Sequence, residues 1–323
     1  FKEYGHPDFP SERNVMEKAK VYFTREISPE NVVRMYEMLG VKLPGKVAVK
    51  VHSGEEGNQN YLHPEFMRPM VEEVDGTIVE CNTAYDGARD TTEKHEKLMA
   101  AHGWTDYFDV DIMDADGPDL VFPIENGRVL GENLVGGHLA NYSSMLVLSH
   151  FKGHPMGGYG GALKQLSIGC ASNEGKVNIH TGGATRKQGE FWDKHAEQDD
   201  FLEAMAEAAE TVVNHFGSNL AYINIACNLS VDCDCCAVAE DPCMADIGIF
   251  ASLDPVAIDQ ACIDAVKNSD DPGRDHLLER IDSKHGTKTI DDAARLGYGT
   301  KEYELIEVGA GLDVDGSNFS VRD

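Results

Sequence analysis

The chain has 323 residues, 41 % hydrophobic and 26 % charged, the balance of a globular protein with a full core rather than a disordered or fibrous one. Fifty-six acidic residues against 28 basic ones give a formal charge of -28, a field that repels phosphate backbones and anionic lipid and argues against nucleic-acid and membrane partners. No run of about eighteen apolar residues occurs, and the opening FKEYGHPDFPSER has neither the basic start nor the apolar middle of a secretory signal, so a cytoplasmic protein is expected.

Strand and helix patterns alternate along the chain. KAKVYFT (18–24) reads as a strand, and SPENVVRMYEMLG (28–40) as a helix opened by a Ser cap and a Pro and closed by Gly. KVAVKVH (46–52) reads as a buried strand, HPEFMRPMVEEVDG as a helix ending at Gly76, and TIVECNT as the next strand. DLVFPIENGRVLGENL (119–134) has the pattern of a hairpin turning at Asn126 and Gly127. SMLVLSHF (144–151) is a strand that feeds a glycine-rich loop, and GGALKQLSIGC continues it as a helix. DDFLEAMAEAAETVVNHFG (199–217) has apolar residues at three and four spacing, the mark of an amphipathic helix. LAYINIACNLS and DIGIFAS are strands, LDPVAIDQACIDAVKN is a helix capped by Asp254 with Pro255 in its first turn, and TIDDAARLG with KEYELIEVG closes the chain as helix and strand. This rhythm predicts an α/β fold, a mostly parallel sheet with helices on both faces. The periodicity fades over 182–198, so the chain is either one large domain or two intimately packed α/β subdomains, 1–181 and 182–323.

Three stretches carry chemistry. In SHFKGHPMGGYGGALKQ (149–165), His150, Lys152, His154 and Lys164 accompany Gly157, Gly158, Gly160 and Gly161 between a strand end and a helix start, where backbone amides can hold a carboxylate or phosphate. A tight turn alone would also explain the glycines. VHSGEEGNQNYLHP (51–64) and ECNTAYDGARDTTEKH (80–95) follow neighbouring strands, so His52, Glu55, Asn58, His63, Glu80, Asn82, Tyr85, Arg89 and His95 are expected to converge on one sheet edge.

The third stretch is DCDCCAVAEDPC (232–243), with four of the eight cysteines. Adjacent cysteines bridge one another poorly, whereas thiolates two apart in extended chain point to one side and suit a zinc ion or an iron-sulfur cluster. Cys233, Cys235, Cys236 and Cys243 are the candidate ligands, with Cys170 in SIGCAS as a further donor. The spacing matches neither zinc ribbons nor ferredoxins, so the metal is left open; a structural staple or free buried thiols are the plainer alternatives.

KVAVKVHSGEEGNQNYLHP, ECNTAYDGARDTTEKH, HFKGHPMGGYGGALKQLSIGCAS, CDCCAVAEDPC and DIGIFASLDPVAIDQA together resemble domain of unknown function family 362, over roughly Lys18 to Val308. That resemblance implies an uncharacterised iron-sulfur centre protein of the kind found mainly in anaerobes. Many relatives carry a ferredoxin-like insertion of paired CxxCxxC motifs; the corresponding segment here, 176–198, has no cysteine, so any cluster rests on the 233–243 loop. The His/Lys loop is also broadly similar to nickel-dependent racemase-like proteins. The leading expectation is a cytoplasmic metalloprotein with a 4Fe-4S cluster, acting in redox chemistry on a small anionic molecule or passing electrons with an electron-transfer protein. In that scheme Lys152 and Arg89 orient the anion, and His154 or His150 moves a proton. The competing expectations are a zinc or nickel hydrolase or isomerase using His52, His150 or His154, with the cysteine loop structural, and a metal-binding sensor or carrier.

Overall fold

The computed structural model describes residues 18–309; the opening stretch read above for targeting lies outside the described residues. The first half builds β1 (Ala19–Thr24), α1 (Pro29–Glu37), β2 (Val47–Lys50), α2 (Pro64–Glu73), β3 (Gly76–Glu80), α3 (Thr92–Ala101), β4 (Val110–Ile112), β5 (Leu120–Pro123), β6 (Glu132–Val135) and β7 (Ser144–His150). Then come β8 (Lys152–His154), β9 (Gly158–Gly160), α4 (Ala162–Lys164), α5 (Asn173–His180), α6 (Gln198–Phe216), β10 (Leu220–Ala226), β11 (Gly248–Ser252), α7 (Pro255–Lys267), α8 (Arg274–Ser283), α9 (Lys288–Leu296) and β12 (Tyr303–Glu307). Eight strands form one sheet in the order β12-β1-β11-β10-β7-β2-β3-β4. Every pair is parallel except those of β11, which runs antiparallel to β10 and β1. β11 returns from β10 through a loop with no crossover helix, and a parallel return would need one. Strands from both sides of 182–198 share this sheet.

The central strands are buried on both faces, so their alternation divides two cores rather than core from water. Val47, Val49, Leu146, Leu148, Ile223 and Ile225 point to the α1–α2 side, against Met35, Met67, Met70 and Trp104. Ala48, Met145, Val147, Leu220 and Tyr222 point to the other face, against α6 and α7. α1 begins as read: Ser28 accepts the Asn31 amide, and Pro29 takes the first helical position, where no amide partner is required. No helix of the described residues is long and apolar enough to cross a membrane.

Three helices were not legible as such. α3 (TEKHEKLMAA) and α8 (RDHLLERIDS) are rich in charge, each with a narrow buried stripe, and α5 (NEGKVNIH) is short and nearly all buried, so none shows an apolar face of its own. The expected helix at GGALKQLSIGC is one turn, α4, followed by a wider π turn over Gln165–Gly169. The hairpin exists, with Leu120 opposite Val135. Its loop is longer than a two-residue turn, and the amides of Arg128, Val129 and Leu130 all donate to the buried Glu207 carboxylate.

Asp259 on α7 organises the glycine-rich loop. Its carboxylate accepts the Ala162 amide (2.8 Å), the Leu163 amide (3.0 Å), the Tyr159 hydroxyl (3.1 Å) and the Asn224 side-chain amide (2.7 Å). Gly161 leaves the room: a Cβ there would stand 2.5 Å from an Asp259 oxygen. The helix-start amides expected to hold an external anion are thus bound to the protein's own carboxylate. Burial pushes the Asp259 carboxyl up to about 6 against the pull of these donors. Replacing it by Asn removes one acceptor and aims an NH2 at donors, so D259N should lower unfolding free energy by ~2–4 kcal/mol in urea denaturation. An unchanged midpoint would remove Asp259 as the loop's anchor.

Candidate functional site

The parallel strands β2, β3, β7 and β10 end on one edge, and their following loops meet there, where open α/β sheets bind ligands. The cysteine loop leaves β10 and folds over this edge. Cys233 to Cys236 form a tight turn, closed by the Cys236 amide donating to the Cys233 carbonyl at 2.9 Å, and its first corner is Asp234. Its buried carboxylate receives Lys152 Nζ (2.6 Å) and His150 Nδ1 (2.9 Å). His150 Nε2 faces the Cys227 carbonyl at 2.6 Å, so both ring nitrogens meet oxygen acceptors. Burial would raise the Asp234 carboxyl, but His150 and Lys152 hold it well below the usual carboxylate range.

Amide side chains of the GNQN turn grip the same loop from the other side. Asn58 donates to the carbonyls of Cys233 (3.3 Å) and Cys236 (2.9 Å), Gln59 to that of Ala239 (2.9 Å), and Asn60 to that of Glu240 (2.8 Å). Tyr85 donates to the Cys235 carbonyl at 3.4 Å. The loop's backbone acceptors are thus satisfied by fixed partners.

Under the loop lies a cavity of about 290 Å³. Cys235, Cys236, His52, His154 and Gln165 line its polar part, and Met156, Ile168, Phe191, Phe201 and Met205 its apolar wall. Its charged lining residues are four bases, Lys50, Arg89, Lys164 and Lys176, against one carboxylate, Glu80. On a chain of formal charge -28 this is a local reversal of sign, and a cleft lined by one sign focuses its field on a ligand of the other.

His154, Cys233 and Cys235 place ligand atoms within 4.8 Å of one another and form a candidate metal site. Sγ of Cys233 lies 2.7 Å from that of Cys235, 3.5 Å from Lys164 Nζ, and accepts the Cys235 amide at 3.2 Å. Burial works to raise the Cys233 thiol, but the Cys235 hydrogen bond and the charges of Lys164 and His154 together hold it well below its ordinary value. Cys235 is pushed well above by its contacts with Cys233 and Cys236 and by burial. Metal binding at such a group requires the sulfurs to lose their protons, and the lowered Cys233 thiol is the one that gives its proton up most readily.

The histidines are oriented by backbone. His154 Nδ1 accepts the amides of Met156 (3.1 Å) and Gly157 (2.8 Å), which leaves the ring proton on Nε2, 3.8 Å from Cys235 Sγ. A metal-bound imidazole donates from its second nitrogen; here that nitrogen accepts, so His154 fits an N–H donor beside the sulfurs better than a ligand. His52 repeats the arrangement, its Nδ1 accepting the Gly54 amide at 3.1 Å. Burial lowers both rings, with Arg89 adding to the shift of His52 and the Cys233 sulfur opposing that of His154.

Of the residues read from sequence, His52, Glu80, Tyr85, Arg89, His154, Lys164, Cys235 and Cys236 do reach the cavity, with Cys233 beside them. His150 and Lys152 are not among its lining residues: they lie buried, and both bond the Asp234 carboxylate. Cys243 bonds the Leu229 carbonyl (3.2 Å), and Cys170 is fully buried in the core, where burial raises its thiol to about 11. Neither joins the His154–Cys233–Cys235 group. Gly157 donates to His154, while Gly158, Gly160 and Gly161 shape the turn over α7 and α8; at Gly158, φ +80, a Cβ would stand 2.8 Å from the Gly286 Cα. Sequence reading missed Lys50, Lys176 and Asp234. Lys50 looked like one more residue of a buried strand, and its lysine in such a strand was the available signal.

Fold and site define an α/β protein with a candidate metal site, two cysteines with a histidine beside them, at the carboxyl edge of a mostly parallel sheet. The chain belongs to the family described as Domain of unknown function (DUF362), which matches residues 47–264. No curated protein matches it. Among solved structures it is similar to the lactate racemase apoprotein from Thermoanaerobacterium thermosaccharolyticum, at 14 % identity over 64 % of this chain and 51 % of that chain, with TM-score 0.35. It is also similar to a protein from Thermotoga maritima, at 11 % identity over 83 % of this chain and 58 % of that chain, with TM-score 0.42. The chain therefore spans between half and three fifths of those structures.

Lys50 and Glu80 pair at 2.6 Å with both side chains buried; Lys50 also donates to Gln165 (3.0 Å), and Glu80 accepts the Ser53 amide (2.8 Å). Burial would raise Glu80, but Lys50 and the nearby His52 hold it well below the carboxylate range. A depressed carboxyl contributes stability that is full above its unfolded value of ~4 and is lost as pH falls below it. E80Q should cost ~3–5 kcal/mol at pH 7, because it strands the Lys50 ammonium, and K50M/E80Q should recover most of that loss. A single-variant cost under ~1 kcal/mol by urea denaturation would show the pair is solvated.

Proposed function

We propose that this protein is a metalloprotein in which Cys233, Cys235 and Cys236 hold an iron-sulfur cluster at the rim of the cavity, for redox chemistry on a small organic anion. The observation that carries this reading is the placement of three thiols of one loop beside a cavity lined by four bases and one carboxylate. Three protein sulfurs suit a centre that keeps one position open to a ligand, and the same donors could serve an open zinc site. When bound, the cluster would supply one-electron transfer; an electron-transfer protein is the partner this implies. The chain's own part is clearer. Lys164 and the other bases attract the anion and balance thiolate charge. His154 holds a proton on Nε2 beside the sulfurs, fixed there by the Met156 and Gly157 amides, and can give it to a reacting group.

Protein purified without oxygen and without added metal should contain iron and sulfide in equal amounts and absorb visible light. C233A and C235A should lose the colour, while C170A and C243A, altered outside the group, should keep it. Zinc without colour would replace redox chemistry with the Lewis-acid alternative, and full metal content in C233A would defeat the ligand assignment.

A further inference from the structure

The four cavity bases differ in what neutralises them. Lys50 is held by Glu80 and Gln165. Arg89 is held by Glu55 (3.1 Å) and by the Tyr85 hydroxyl (3.2 Å). Lys164 faces the Cys233 sulfur at 3.5 Å. Lys176, on α5, is 7 % exposed and donates to the neutral Ala171 carbonyl at 2.5 Å, and no carboxylate among the described residues forms an ion pair with it. Burial lowers its ammonium, with Cys81 and Asp114 opposing at longer range. A buried cation left without an anion costs several kcal/mol, and a cavity-lining one is answered most simply by an anionic ligand.

What surrounds Lys176 describes the rest of that ligand. His180 lies one turn further along α5, and its Nδ1 donates to the Lys176 carbonyl at 2.7 Å. Its ring centroid is 4.8 Å from that of Phe191 and 4.8 Å from that of Phe201, the latter stacked at 25°. Phe191 in turn meets Trp192 edge-on at 4.7 Å. An aromatic wall beside an unpaired ammonium matches a flat apolar body that carries one negative group.

We propose that the cavity takes a one-ring aromatic monocarboxylate, with its carboxylate on Lys176 and its ring against His180, Phe191 and Phe201. The volume of about 290 Å³ lies at the lower edge of the ~300–1,000 Å³ of small-molecule sites and suits such a molecule. This deepens the proposed function by naming the anion, and it rests on that reading only for the identity of the cavity.

The chain has two tryptophans: Trp104 is fully buried in the opposite core, and Trp192 is 66 % exposed at the cavity wall. Intrinsic fluorescence is therefore a direct probe. Titration with phenylacetate should give a saturable change. Benzyl alcohol, which lacks the charge, and acetate, which lacks the ring, should each bind at least about tenfold more weakly. K176M should lose phenylacetate at least about tenfold and also raise the melting temperature, because the methionine fills similar space without a buried charge. A merely structural lysine would give the opposite shift in melting temperature. Equal phenylacetate binding by K176M, a lowered melting temperature in that variant, or no phenylacetate binding by the unaltered protein would each overturn the proposal. Metal content measured on the same samples separates the two readings. Phenylacetate binding without metal leaves this inference standing and defeats the cluster, and metal without phenylacetate binding does the reverse.

Discussion

The buried ion cluster of Asp234 with His150 and Lys152 is the constraint on which the site depends. One carboxylate, turned inward between two cysteines, fastens the 227–247 excursion from β10 to the end of β7. Anchoring Asp234 fixes the corner of the turn from Cys233 to Cys236, and that turn holds the Cys233 and Cys235 sulfurs 2.7 Å apart. The carbonyls that a loop so placed would leave unsatisfied are taken by Asn58, Gln59, Asn60 and Tyr85. Such a loop gains rigidity from hydrogen bonds rather than from apolar packing, and a metal centre needs donors held in that way.

The same device recurs around the cavity. Asp259 occupies the amides at the start of α4, Glu207 collects the amides of the β5–β6 loop, and Glu80 neutralises Lys50. Each internal carboxylate closes a position that could otherwise receive an external anion. What is left open is therefore informative: the surface toward Cys235, His154 and Lys176, where the basic and sulfur groups outnumber the acids that could answer them. The acidic character of the chain as a whole does not describe this interior, since surface charge governs solubility and encounter whereas a buried group responds to its neighbours.

Polarity within the site is set by backbone as much as by side chains. Two amides on Nδ1 of His154 and one on Nδ1 of His52 select the tautomer that presents Nε2–H. A proton is thereby held in a stated place without a carboxylate partner, and burial lowers both rings, favouring their neutral form. This separates the thiols, which can bind a cation, from the histidines, which can donate to whatever the cation or cavity holds.

The sequence by itself determined the α/β class, most strands, the capped helices, and the convergence of the histidine, arginine and cysteine loops on one sheet edge. Those features are local: period-two and three-to-four spacing, Ser28 and Asp254 caps, and loops that must follow parallel strands. Polar helices such as α3 and α8 escaped because their buried stripe exists only against a partner element. Tertiary structure alone decided which of the chemically suitable residues face the cavity. His150, Lys152, Cys170 and Cys243 have the right chemistry in the right segments, yet their partners are Asp234, the core and the Leu229 carbonyl. Lys176 lies in no motif and Asp234 stands unmarked among the cysteines of 232–243, and the importance of both arises from whom burial leaves them beside. The reason is physical: residue type fixes what a side chain can bond, but the cost of burying it unpaired is set by contacts between segments far apart in the chain.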